Sequence, residues 1–70
     1  MDRKRVNANT LRSVGYDARS RVLEVELRNG TIVQYSGVSE TLYRGLRSAP
    51  SPDSYYRDRI EEDFPAQRLR

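Results

Sequence analysis

Seventy residues, with 13 Lys or Arg against 10 Asp or Glu and a formal net charge of +3, allow one small domain with a modest core. With no cysteine or histidine the chain has no disulfide framework, no zinc site of the usual kind, and no side chain that titrates near neutrality. No apolar run approaches the roughly 20 residues needed to cross a bilayer, and no apolar stretch follows the basic Arg3-Lys4-Arg5 start, so a cytoplasmic location is the default expectation.

Residues 1–8 are polar, charged and without periodicity, and are expected to form a flexible basic arm. Residues 10–16 carry enough β-branched and aromatic side chains for a first strand, in which Gly15 marks a close backbone approach. A polar loop over 17–21, opened by Asp17, leads to a second strand. Residues 22–35 then alternate apolar and polar side chains around Asn29-Gly30, a pair suited to the two central positions of a type I′ turn. That turn would set Leu27 opposite Ile32 and Glu24 opposite Tyr35. Leu23, Val25, Leu27 and Ile32 would then share the core face, with Val22, Glu24, Glu26, Val33 and Tyr35 on the open face. The first strand fits in two registers, with Tyr16 opposite Val22 or opposite Arg21. The first is preferred, since it pairs Arg12 with Glu26 and turns Leu11 inward.

Ser39 is placed to cap a helix carrying Leu42, Tyr43 and Leu46, with Gly45 mid-helix as a second close contact. Ala49-Pro50 ends it. Ser51-Pro52-Asp53 opens another helix, in which Tyr56, Ile60 and Phe64 recur at four-residue spacing up to Pro65. The expected architecture is α+β: a three-stranded antiparallel β-meander followed by two helices packed on one face. It forms a single domain over 9–64 with a tail over 65–70. Its expected core is Leu23, Val25, Leu27, Ile32, Leu42, Leu46, Ile60 and Phe64.

The positive charge is concentrated toward the N-terminus, where residues 1–21 hold six basic side chains against two acids. Twelve of the 13 basic residues are arginine, which grips phosphate and carboxylate bidentately and stacks on aromatic faces. An exposed Tyr35, flanked by Arg12, Arg3, Lys4, Arg5 and Tyr16, would suit RNA by stacking and phosphate contact. Glu24 and Glu26 on the same face oppose that use. They lack a third ligand or a partner base, so they are read as a solvated strand face. Arg57–Glu61 and Arg59–Asp63 are read as four-residue helix pairs. The four glycines match no phosphate-binding loop. With no nucleophile–base pair and no metal set, neither catalysis, a cofactor nor a metal is expected.

Val14-Gly15-Tyr16-Asp17, then Leu23-Glu24-Val25, then Gly30 before an aromatic strand, resemble the KTSC family. Val38, Tyr43, Leu46, Ala49, Ser51 and Tyr55-Tyr56 also fall where such domains carry similar residues. The family is a short domain found at the C-terminus of some lysyl-tRNA synthetases and as stand-alone small proteins. Its central Tyr-x-Tyr reads Val33-Gln34-Tyr35 here, so only the second tyrosine is present. The resemblance carries no established biochemical role, and the placement on a synthetase suggests RNA only by association. The residues and the resemblance together describe a small non-enzymatic binding module, acting on a protein partner as an adaptor. RNA binding is the alternative, and no membrane partner is expected.

Overall fold

The computed structural model describes residues 2–70, leaving Met1 of the expected arm outside the described residues. The elements run β1 (Lys4–Arg5), β2 (Leu11–Asp17), β3 (Val22–Leu27), β4 (Ile32–Ser36), α1 (Glu40–Ser48), α2 (Pro52–Arg59) and β5 (Ala66–Arg68). The strands form one antiparallel sheet in the order β1-β2-β3-β4-β5. The class is α+β as expected, but five strands replace three. The two extra strands come from segments read as arm and tail, whose short polar runs carry no alternation to betray them. Each is recruited by the backbone groups that β2 and β4 would otherwise leave unpaired. Among the described residues no helix is long and apolar enough to cross a membrane.

The hairpin forms where Asn29-Gly30 places it, with a different turn. Leu27 donates its N–H to the Thr31 carbonyl at 2.8 Å, and Gly30 donates to the Leu27 carbonyl at 3.0 Å, enclosing three loop residues, 28–30. Gly30 alone of the three has positive φ, at 93°. Asn29 instead accepts the Thr31 N–H on its side-chain oxygen at 2.9 Å. This is the three-residue hairpin with a left-handed final residue.

The extra loop residue shifts β4 by one position against β3, pairing Glu26 with Ile32, Val25 with Val33 and Leu23 with Tyr35. A one-residue slip turns every β4 side chain to the other face. Tyr35 and Val33 therefore point into the core with Leu23 and Val25, and Ile32 lies on the opposite face beside Glu26. The adopted register buries Tyr35 and half-buries Val33 where the two-residue turn would have brought in Gln34, and Ile32 is still buried, at 8% exposed, on the other face.

A bulge at Arg12 makes a similar adjustment in β2. Leu11 pairs with Leu27, as in the preferred register, but beyond the bulge Ser13 pairs with Glu26 and Tyr16 with Leu23. An extra residue in one strand re-aims everything after it. Leu11, Val14 and Tyr16 all turn inward as a result, which neither register with Tyr16 opposite Val22 or Arg21 would allow.

Both helices start at their expected caps: Ser39 accepts the Leu42 N–H and Ser51 accepts the Ser54 N–H. They cover the core face together. The core comprises Leu11, Val14, Leu23, Val25, Tyr35, Val38, Leu46, Tyr56 and Ile60, with Leu27, Leu42 and Phe64 half-buried at its margin. Asp53, in the first turn of α2, accepts the N–H groups of Asn9 at 2.8 Å and Thr10 at 3.0 Å, fastening the segment before β2 to the helix.

α2 ends at Arg59 rather than running to Pro65, so Arg57–Glu61 and Arg59–Asp63 are not helix pairs. The carbonyl of Tyr56 accepts both the Ile60 and Glu61 N–H groups, which closes the helix. Three successive acids at a helix C-terminus would oppose the macrodipole, and here they fall in the turn beyond it.

Gly45 is the close contact expected in α1. A Cβ there would run into the Tyr55 hydroxyl and ring of α2. Gly45→Ala gains about 1 kcal/mol of helix propensity but overpacks this crossing at a cost of about 1–3 kcal/mol. Net destabilisation is expected by thermal melting, reversing to stabilisation when Tyr55 is also replaced by alanine.

Candidate binding surface

Tyr35 does not lie on an exposed face. Only 3% of it is accessible, its ring meets Tyr56 edge-on at 5.9 Å, and the two hydroxyls share a hydrogen bond. Burial drives both phenols above the ordinary tyrosine range, and for Tyr56 the bond to Tyr35 adds to it. Unfolded tyrosines ionise near pH 10. The stabilisation from keeping these two neutral is therefore complete below about pH 10 and is lost as the pH climbs toward their raised values. In an alkaline titration, phenolate absorbance from Tyr35 and Tyr56 is expected only as the far-UV signal collapses.

Tyr16 is engaged as well. Its ring stacks on Tyr43 with centroids 5.0 Å apart and planes 15° apart, and its hydroxyl donates to the Val38 carbonyl. Tyr43 lies under the Arg47 guanidinium and Tyr55 under that of Arg59. All five tyrosines of the chain thus have partners inside the domain.

The sheet face turned away from the helices is polar and cross-linked. Arg3 donates to Glu24 at 2.8 Å and lies 3.9 Å from Glu26. Gln34 donates to the other Glu24 oxygen, and the Ser13 hydroxyl donates to Glu26. Glu24 is 8% exposed, so it is a paired, largely buried carboxylate rather than a solvated one. Gly15 permits this arrangement: a Cβ there would lie 2.5 Å from the Asp2 carbonyl oxygen and 3.0 Å from Arg3 Cγ. Arg3 is consequently occupied within the domain.

Arg5 and Arg12 meet elsewhere, together with an arginine that sequence reasoning left out. They line a groove of about 470 Å³ with Val6, Asn7 and Arg28. Arg28 is fixed by donation from Nε to the Ala8 carbonyl at 2.7 Å, and Arg12 donates to the Arg28 carbonyl at 3.2 Å. Arg12 also lies 3.8 Å from Glu26, although the bulge puts Ser13 rather than Arg12 opposite it in the ladder. A second groove of about 230 Å³ shares Arg5, Val6 and Asn7 and adds Arg47, Ala49, Pro50 and Pro52. Lys4 is exposed on β1 alongside. The sequence holds no signal for Arg28 or Arg47 here, since both join Arg5 only through the fold.

The comparisons with known proteins agree with this architecture. The KTSC domain family model matches residues 7–64. The crystal structure of a KTSC domain protein from Yersinia pestis superposes with a TM-score of 0.93 at 30% identity, covering 99% of this chain and 97% of that one. An uncharacterized protein of Stutzerimonas stutzeri (strain A1501) is 35% identical over 51 residues, which cover 73% of this chain and 72% of the relative. The chain belongs to the KTSC domain family.

Proposed function

We propose that this KTSC domain is a small non-enzymatic binding module that docks a protein partner through the arginine-lined grooves beside β1. The carrying observation is the convergence of Arg5, Arg12 and Arg28 in one groove and of Arg47 in its neighbour. Arginine is favoured at interfaces because its rigid fork binds carboxylates at two points. Of the arginines in these grooves, Arg12 reaches Glu26 at 3.8 Å, while Arg5, Arg28 and Arg47 have no carboxylate within 4 Å among the described residues.

RNA binding, the alternative, keeps the same arginines but loses its aromatic platform. Single-stranded recognition relies on rings that bases can stack on, and every tyrosine here is engaged by a neighbour. Affinity capture from cell lysate, with and without nuclease, separates the two readings. A protein retained after nuclease, and lost with Arg5→Glu combined with Arg47→Glu, is the expected result. Retention that disappears with nuclease would favour RNA.

A further inference from the structure

We infer that the partner segment is an extended strand alternating acidic with small apolar side chains, laid along the free edge of β1; this rests on the protein-docking reading above. β1 is an outer strand of the sheet. Val6 donates its N–H to the Arg12 carbonyl at 3.0 Å, and Arg5 stands opposite Ser13. Val6 spends its carbonyl on the Ala8 N–H at 3.1 Å, and because bonded and non-bonded pairs alternate in an antiparallel ladder, Arg5 turns its N–H and C=O outward. That leaves a donor and an acceptor for an incoming strand, which main-chain recognition of extended peptides uses.

The two grooves dictate what the incoming side chains must be. Successive residues of a strand point to opposite faces. Ser13 lies on the polar face with Glu26, so Arg5 lies there too and faces Arg12 and Arg28. Val6 packs toward the core, and the second groove, which Arg5 and Val6 also line, adds Ala49, Pro50, Pro52 and Arg47. A strand beside Arg5 therefore presents every second side chain to three guanidinium groups and the intervening ones to the short side chains of Ala49, Pro50 and Pro52. Acid on the first set and alanine or valine on the second match both grooves at once. Lys4 and Arg5 would repel a second basic edge, which is how exposed strands avoid self-pairing, while an acidic strand meets no such repulsion.

Amide-shift titration of the folded domain tests this, using a short capped peptide that alternates glutamate and valine. A second peptide of identical composition carries all its glutamates in one half. The alternating peptide is expected to shift Arg5, Arg28 and Arg47, and to bind about tenfold more tightly than the grouped one. Arg5→Ala removes the side chain alone, whereas Arg5→Pro also removes the outward N–H without touching the bond made by Val6. Arg5→Pro is expected to bind up to about tenfold more weakly than Arg5→Ala, as loss of one hydrogen bond implies. Equal affinity for both peptides, with Arg5→Pro no worse than Arg5→Ala, would overturn the strand geometry and leave the groove as the docking site. Shifts at Arg5, Arg28 and Arg47 caused by RNA but by neither peptide would overturn both the strand and the protein partner.

Discussion

Tyr35→Ala is expected to lower stability by about 3–5 kcal/mol, the usual cost of truncating a buried aromatic side chain. In a domain of this size that corresponds to a fall in Tm of at least about 15 °C. The cause is its position opposite Leu23, where the ring fills the core against Tyr56. The hydroxyl matters separately. Tyr35→Phe keeps the ring but deprives the buried Tyr56 hydroxyl of its partner, which costs about 1–3 kcal/mol. A chemical denaturation series should rank wild type, Tyr35→Phe and Tyr35→Ala in that order. A Tyr35→Ala protein as stable as wild type would mean that the three-residue turn and the register are wrong.

Arg3→Ala is expected to cost about 2–3 kcal/mol, less than the roughly 3–5 kcal/mol of breaking a fully buried pair because Arg3 keeps some contact with solvent. It donates to Glu24 at 2.8 Å, and its side chain is 26% exposed while that of Glu24 is 11% exposed. Removing it strands a largely buried carboxylate whose other oxygen is held by Gln34. Glu24→Gln in the same background deletes that charge and should recover most of the loss. Thermal melts of the two single variants and the double variant give the coupling. A double variant no more stable than Arg3→Ala would show that Arg3 acts by packing over Gly15 rather than by pairing Glu24.

Local chemistry was the legible part of this sequence. Ser39 and Ser51 as caps, Pro52 at the first helical position, the strand pair around Asn29-Gly30 and the crowding at Gly45 all follow from one or a few neighbouring residues. The register was less accessible. A single loop residue separates the type I′ turn from the one adopted, and the difference lies in how well Tyr35 fills a core whose far wall is Tyr56, twenty-one residues away. The Arg12 bulge is set in the same way, by the need to bury Leu11 and Val14 together. β1 and β5 were illegible because their pairing belongs to β2 and β4, not to their own residues. The candidate site divides likewise. Arg5 and Arg12 were identified because they lie in the basic first third of the chain, but Arg28 and Arg47 reach them only across a hairpin and a helix end. Arg3, placed in the same cluster by sequence, is drawn away by Glu24.

The proposed docking of a protein segment in the grooves beside β1 should leave a footprint on the backbone amides there. Hydrogen exchange, measured on the free domain and on its captured complex after nuclease treatment, tests it most directly. Protection should concentrate at residues 5–7 and around Arg28 and Arg47. Protection confined to the Glu24 and Glu26 face, or to the acidic turn at residues 61–63, would contradict it.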